Sequence, residues 1–210
     1  MDRYDIGSCE VYDTEYKEFW ENCEPKFAHI QDDYGIPTRF KAWVGWFDIG
    51  KKTILDYGCG GAQITKVFTA NPYIGVDIAE RSLRKAKENL ILLRPDNKPS
   101  WSLHQTPVEL SELGADLLVA QQVINHFCNQ QMLDEFLDNV NRSGIRELLL
   151  ETKSVNIGDK KVFAPLYING ACCAGWIYLR KHLPRYHMDK CQPTGTYQFS
   201  KWTRSEYIRK

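Results

Sequence analysis

The chain has 210 residues and a mass of 24.4 kDa, which suits a single domain with its own apolar core. Charged residues make up 26% of it and hydrophobic residues 43%, a composition that excludes disordered and fibrous classes. The longest apolar runs are only a few residues, so we expect no membrane span and no membrane partner.

The net charge of zero, from 27 basic and 27 acidic side chains, gives no electrostatic argument for a nucleic-acid partner. The charge is unevenly distributed, because residues 1–50 sum to −6, residues 51–150 to −1 and residues 151–210 to +7. A nucleic-acid partner for the basic tail therefore stays open, although it is not favoured.

Seven cysteines, an odd number without a C-x-x-C pair, argue against a disulfide framework and against a zinc site. The chain begins Met-Asp-Arg-Tyr-Asp, without the basic and then apolar pattern of a signal segment. We therefore expect a cytoplasmic, reduced protein with no metal centre.

Periodicity predicts secondary structure along the whole chain. The first fifty residues show helical periodicity over 14–31 and 37–47. The middle hundred alternate strands and helices, which is typical of a parallel sheet with crossover helices. Its predicted strands are 52–57, 73–77, 101–104, 116–120 and 146–151, and its predicted helices 62–68, 80–94 and 130–140. The last sixty predict a helix over 169–183 and an antiparallel edge hairpin of strands 186–191 and 197–203.

The most informative stretch is the glycine-rich turn after the first predicted strand of the middle region, residues 54–63 (I-L-D-Y-G-C-G-G-A-Q). A strand that runs into glycines and then a helix is expected to expose backbone N–H groups and to let a ligand approach closely. Asp77 ends the next strand, 21 positions after Asp56, where a carboxylate can accept hydrogen bonds from both hydroxyls of a ribose. This pattern predicts a site for a nucleotide-like ligand.

The spacing argues against a dinucleotide, because the sixth position counted from Gly58 is Gln63 instead of glycine or alanine. Asp56 would also lie near a pyrophosphate, and two like charges ~4 Å apart cost about 4 kcal/mol at an effective dielectric near 20. No G-K-S or G-K-T follows, which excludes a P-loop. A ligand that carries an ammonium or sulfonium group fits better.

Three segments resemble the class I S-adenosylmethionine-dependent methyltransferases. Residues 56–61 (D-Y-G-C-G-G) resemble the first motif of that family, and residues 75–80 (G-V-D-I-A-E) resemble the second. Residues 115–127 (A-D-L-L-V-A-Q-Q-V-I-N-H-F) are similar to the fourth-strand segment of the small-molecule branch. Together they cover about residues 52–151.

The resemblance implies an α/β fold, a Rossmann-like doubly wound sheet that is mostly parallel, with an antiparallel C-terminal hairpin strand and an N-terminal helical cap. We expect a single domain over 1–210. Within it, residues 1–50 would form the cap, 51–151 the cofactor-binding core, and 152–210 the C-terminal helix and edge hairpin.

The resemblance also implies which residues bind the methionine part of the cofactor, S-adenosyl-L-methionine. Gly58, Cys59 and Gly60 would line it, and Asp56 would hold its ammonium directly or through water. Gln121, after the fourth strand, would face the same end.

For the adenosine part, the resemblance implies that Asp77 binds the ribose hydroxyls and that Ile78 packs on adenine. Thr106 and Pro107 fall where the family often has an acidic residue that bonds the adenine amino group. The Thr106 hydroxyl or a backbone carbonyl could substitute there. Asp77 could instead cap the following helix, and the two roles can coexist.

His126 is the candidate general base, since the reference pKa of histidine lies near ~6.5. The family commonly keeps a histidine here for packing and hydrogen bonding, which is the alternative role for His126.

The reaction that these features predict is in-line methyl transfer to a small-molecule acceptor. No N/D-P-P-Y/F loop and no Pro-Cys nucleophile follow the fourth strand, which argues against exocyclic-amine and cytosine-C5 methylation of nucleic acids. Two alternatives stay open: methylation of RNA or another anionic macromolecule, and cofactor binding without catalysis.

Overall fold

The computed structural model describes residues 13–22, 43–127, 129–153, 166–168, 171–173, 176–194 and 197–208. These residues divide into two compact units. Of the described residues, the first unit contains 13–22, 43–109 and 113–119. The second contains 110–112, 120–127 and the described residues from 129 onward.

The first unit is built on parallel strands in the order β3-β2-β1-β4. They are β1 (Ile54–Tyr57), β2 (Tyr73–Asp77), β3 (Trp101–Gln105) and β4 (Leu117–Ala120), the last residue of which is assigned to the second unit. The strands β2 and β4 are buried along their whole length, as continuous apolar runs in parallel sheets are. Because the strands are parallel, the ends of β1, β2 and β3 lie at one edge.

Two helices belong to the first unit, α1 (Asp13–Asn22) and α2 (Glu80–Leu93). The apolar face of α2 packs on β2 and β3 through Ala86 and Leu90, both fully buried. The helix predicted over 62–68 is instead a short 3-10 helix, Gln63–Lys66. Ala62 takes a left-handed conformation (φ 59°), and the Thr65 hydroxyl donates to its carbonyl at 2.7 Å, a local bond that competes with an α-helical turn.

The second unit holds antiparallel strands in the order β5-β9-β8. They are β5 (Glu147–Lys153), β8 (Tyr186–Thr194) and β9 (Tyr197–Arg204). This confirms the predicted C-terminal hairpin. The helix α3 (Gln130–Arg142) is capped by Asn129, whose side chain accepts a hydrogen bond from the Met132 N–H. The helix buries Leu133, Phe136, Leu137 and Val140.

The helix predicted over 169–183 is wrong in its first part. Residues Leu166–Ile168 (β6) and Ala171–Cys173 (β7) form an antiparallel pair, and the helix α4 covers only Trp176–His182. The sequence between β6 and β7 is Asn-Gly, which is a strong signal for a two-residue hairpin turn.

The other predicted elements agree with the structure to within a few residues. In the N-terminal region, α1 (Asp13–Asn22) overlaps the first part of the predicted helix 14–31. Residues 23–42, with the rest of that helix and most of the second predicted helix, lie outside the described residues. Within the described part of the chain, no helix has the length and apolar character needed to cross a membrane.

Candidate functional site

The turn after β1 requires glycine at two positions. Gly58 has φ 72° and Gly60 has φ 49°, both in the left-handed region where a Cβ atom is disfavoured. The turn lies where the ends of β1 and β2 meet. The two glycines therefore allow the chain to turn tightly at the sheet edge.

The backbone N–H groups of this turn are bonded within the protein, contrary to the sequence expectation that they would be exposed. Gly58 and Cys59 both donate to the Val76 carbonyl, at 2.7 and 2.9 Å. Gly60 donates to Oδ2 of Asp77 at 2.8 Å. These three groups are not available as a cradle for an anion, so the turn is poorly suited to a phosphate.

Asp77 joins the turn to the end of β2. Besides the bond from Gly60, its Oδ1 accepts the Ala79 N–H at 2.9 Å, and the residue is only 8% exposed. Burial raises the pKa of Asp77, the nearby Glu21 carboxylate raises it further, and the bonds from Ala79 and Gly60 act in the opposite direction.

Asp77 is not the cap of α2. That helix begins after Ala79, and the N–H groups of Glu80 and Arg81 donate to the Glu21 carboxylate of α1, at 2.5 and 3.2 Å. Capping therefore comes from another element, and the Asp77 carboxylate serves the turn instead.

Asp56 lies in β1 next to the turn and is 3% exposed. Its Oδ2 accepts a hydrogen bond of 2.7 Å from the Tyr73 hydroxyl. Burial raises the pKa of Asp56 to about 7, the Tyr73 hydrogen bond lowers it in part, and the charge of Asp77 raises it. The site thus holds two buried carboxylates on neighbouring strands.

The end of β3 completes this edge. The Gln105 side-chain amide donates to the Ile78 carbonyl at 2.9 Å, and the Thr106 N–H donates to the Asp77 carbonyl at 3.0 Å. Ile78 and Thr106 are half-buried and Pro107 is exposed. An apolar residue, a hydroxyl-bearing residue and a proline thus follow the ends of β2 and β3, at the edge where Asp77 ends β2.

The first unit therefore brings together eight of the predicted site residues, namely Asp56, Gly58, Cys59, Gly60, Asp77, Ile78, Thr106 and Pro107. Gln121 and His126 belong to the second unit. Gln121 directly follows β4, and His126 ends the 3-10 helix Ile124–His126. Both are half-buried.

Sequence reasoning missed Tyr73, Gln105 and Glu21. Tyr73 and Gly75 alternate along β2 and lie on the same face as Asp77, which was the available signal for Tyr73. Gln105 is the register partner of Asp77 on β3. Nothing in the local pattern of α1 indicates that Glu21 caps a different helix.

Comparison with known proteins shows what this chain is similar to. Residues 55–143 match a family model described as a methyltransferase domain. A ribosomal protein L11 methyltransferase from Alteromonas mediterranea is 25% identical over 133 residues, which is 54% of this chain and 45% of that protein. The chain thus spans about half the length of this curated relative.

Solved structures share the fold. The crystal structure of magnesium protoporphyrin IX methyltransferase from Synechocystis PCC 6803 with bound S-adenosylhomocysteine has a TM-score of 0.71 and 15% identity, covering 92% of this chain and 100% of that one. A small RNA methyltransferase has a TM-score of 0.59 and 17% identity, covering 82% of this chain and 25% of that one. This confirms the Rossmann-like fold, with its mostly parallel sheet and antiparallel C-terminal strands.

Proposed function

We propose that the chain, whose residues 55–143 match a methyltransferase-domain model, is a class I S-adenosylmethionine-dependent methyltransferase and transfers the methyl group of S-adenosylmethionine in line to a small-molecule acceptor. The observation that supports this most is the pair of buried carboxylates, Asp56 and Asp77, at a glycine turn with its Gly58, Cys59 and Gly60 N–H groups already bonded. Carboxylates suit an ammonium group and ribose hydroxyls, and a turn with these three N–H groups already bonded disfavours a phosphate.

Several described residues carry groups that the adenosine end of the cofactor needs. Asp77 has bonds from Gly60 and Ala79, one on each oxygen, and each carboxylate oxygen can accept a further bond from a ribose hydroxyl. The half-buried Ile78 offers an apolar surface for adenine, with Thr106 and Pro107 beside it. We assign these four residues to the adenosine end.

At the methionine end, Asp56 and the turn Gly58–Gly60 would hold the amino-acid part. The carbonyl oxygens of the turn and the Asp56 carboxylate are acceptors, which is what an ammonium group requires. Gln121, at the end of β4, is assigned to the same end from its position in the sequence.

When bound, S-adenosylmethionine supplies a methyl group that is already activated by a sulfonium. The protein then has to hold the acceptor nucleophile in line with the carbon–sulfur bond and exclude water. Where the acceptor loses a proton, a base must take it, and His126 is the residue that we assign to this step. The sulfur keeps the electron pair of the broken bond.

A small-molecule acceptor is supported by the fourth-strand segment 115–127 and by the similarity over 92% of this chain to an enzyme named for a magnesium protoporphyrin. Methylation of RNA is supported by the basic residues 151–210 and by the likeness to a small RNA methyltransferase. Turnover of a macromolecule bound by those basic residues should fall steeply as salt rises, whereas turnover of a neutral small molecule should not. Screening both acceptor classes at low and high salt separates the two.

Isothermal titration calorimetry with S-adenosylmethionine and S-adenosylhomocysteine tests the cofactor assignment. We expect both to bind and Asp77→Ala to weaken binding at least tenfold, since about 1.4 kcal/mol is tenfold in affinity and a ribose bonded by a carboxylate is worth more. The control is Asp96→Ala, which removes an exposed carboxylate of the same unit. No binding to the wild type, or equal binding to Asp77→Ala, would contradict the proposal. Binding without methyl transfer to any acceptor would favour a non-catalytic cofactor-binding protein.

A further inference from the structure

The Tyr73 ring passes close to Gly75, and its hydroxyl reaches the Asp56 carboxylate. Asp56 is the register partner of Gly75, and Tyr73 lies two residues before Gly75 on the same face of β2. A Cβ atom at Gly75 would lie 3.2 Å from Cε1 of Tyr73. The absence of a side chain at Gly75 therefore leaves room for the ring that carries the hydroxyl to Oδ2 of Asp56, 2.7 Å away.

The Tyr73 ring also has a cationic neighbour, Arg94. The Arg94 guanidinium lies 5.7 Å from the ring centroid and donates to the Phe68 and Asn71 carbonyls, each at 2.7 Å. Tyr73 itself is 1% exposed. The hydroxyl thus has a set position and is kept from water, which strengthens its bond to the carboxylate.

We propose that Tyr73 is a positioning residue for cofactor binding: its hydroxyl holds the Asp56 carboxylate ionised beside the glycine turn, ready to accept a hydrogen bond from the cofactor's ammonium group. The inference rests on the proposed function, because it assumes that Asp56 meets this ammonium. Tyr73 does not touch the cofactor in this role.

The charges around Asp56 explain why a donor is needed. Asp77 and Tyr73 come from β2, the Cys59 thiol comes from the turn, and Arg94 comes from the end of α2. On β4 the register partner of Asp56 is Val119, which does not ionise. Burial and Asp77 raise the pKa of Asp56 to about 7, and the Tyr73 hydrogen bond opposes them. Ionisation of Asp56 near neutral pH therefore depends on the hydroxyl.

The test is calorimetry from pH 5.5 to 8.5 with two probes. S-adenosylhomocysteine carries the ammonium group, and methylthioadenosine shares its adenosine part but has no amino-acid end. For the wild type we expect the affinity for S-adenosylhomocysteine to fall as the pH drops through about 7. Tyr73→Phe should move this fall up by about one pH unit, which makes binding about fivefold weaker at pH 7 and about tenfold weaker well below it. The ligand's own amine titrates in the same way with both proteins, so its effect cancels in the ratio of their affinities.

Two further variants test whether the shift in the pH profile depends on the Tyr73 hydroxyl. Tyr186→Phe removes another buried hydroxyl, which donates to the Ile145 carbonyl at 2.8 Å in the second unit, and should leave the pH profile unchanged. Tyr73→3-fluorotyrosine keeps the ring and makes the hydroxyl a better donor, so the fall should move to lower pH. This nearly isosteric variant decides the question if Tyr73→Phe does not fold.

The outcomes separate the inference from the proposed function. If the wild type binds neither probe at any pH, the proposed function fails. If the wild type binds both but Tyr73→Phe binds S-adenosylhomocysteine with an unchanged profile, the inference fails. If Tyr73→Phe binds S-adenosylhomocysteine more weakly by the same factor at every pH, or binds methylthioadenosine as much more weakly, the role of Tyr73 is merely structural. Either result would also overturn the inference. An unshifted profile in Tyr73→3-fluorotyrosine would do the same.

Discussion

The carboxylate of Asp56 shows at the scale of one residue how burial changes the chemistry of a side chain. Its pKa is about 7 in the folded protein, against about 3.8 for an ordinary aspartate. Since the folded protein binds this proton more tightly than the unfolded chain does, Asp56 contributes stability that is fully present below about pH 4 and is lost as the pH rises through about 7.

This linkage predicts a pH-dependent difference between the cofactor-free wild type and Asp56→Asn. Between about pH 4 and pH 7, the free energy of unfolding of the wild type should fall relative to the variant by up to about 1.4 kcal/mol per pH unit. Urea unfolding of both proteins across this range measures it. A difference that stays constant over the range would mean that Asp56 does not titrate there.

At Gly75, the addition of a single Cβ atom would create close contacts. A Cβ at this position would lie 2.6 Å from Cδ2 of Leu103 and 2.9 Å from Sγ of Cys59, closer than carbon atoms approach in folded proteins. Gly75→Ala should therefore destabilise the protein by about 1–3 kcal/mol, by overpacking. Because Cys59 belongs to the turn, the variant should also bind S-adenosylhomocysteine more weakly.

Thermal unfolding and calorimetry check this prediction together. The matched control is Gly114→Ala, where a new Cβ would meet nothing within 4 Å, although the positive φ of 65° adds some backbone strain. Cofactor binding that is weakened in Gly114→Ala as much as in Gly75→Ala would contradict the role assigned to the turn.

At the scale of elements, one helix completes another. Glu21 of α1 accepts the N–H groups of Glu80 and Arg81 at the start of α2, where a carboxylate also interacts favourably with the helix dipole. Glu21→Ala should lower the free energy of unfolding by about 0.5–2 kcal/mol, the usual cost of losing a cap.

Hydrogen exchange localises the effect. In Glu21→Ala, the amides of residues 80 and 81 should exchange faster than in the wild type. Glu18→Ala, an exposed carboxylate on the same helix, is the control and should leave them unchanged. Equal exchange rates in both variants would show that Glu21 does not cap α2 in solution.

The elements also show where sequence reasoning succeeds. The strands β1, β2 and β4 follow from short apolar runs, and α2 from a strong apolar period, because both patterns are local consequences of what the element buries. The predicted helix over 62–68 was wrong because the left-handed Ala62 outweighs a weak helical period. The start of the predicted helix over 169–183 was wrong because the Asn-Gly dipeptide favours a hairpin over such a period.

At the scale of the whole molecule, the cofactor should stabilise the fold that binds it. A ligand at one hundred times its dissociation constant adds about 2.7 kcal/mol. For a chain of this length, that corresponds to a rise in Tm of about 5–10 °C. Thermal unfolding with and without S-adenosylhomocysteine measures it, and Asp77→Ala at the same ligand concentration should show a much smaller rise.

The sequence by itself determined the resemblance to class I S-adenosylmethionine-dependent methyltransferases, the parallel strands with their glycine turn, and the two carboxylates at the ends of β1 and β2. Periodicity, glycine and motif spacing are properties of neighbouring residues, so they can be read without a fold. Only the tertiary structure decided that the turn amides are already bonded, that Tyr73 donates to Asp56, and that Glu21 caps α2. These contacts join residues 17 to 59 positions apart, and their existence depends on which strands and helices pack together.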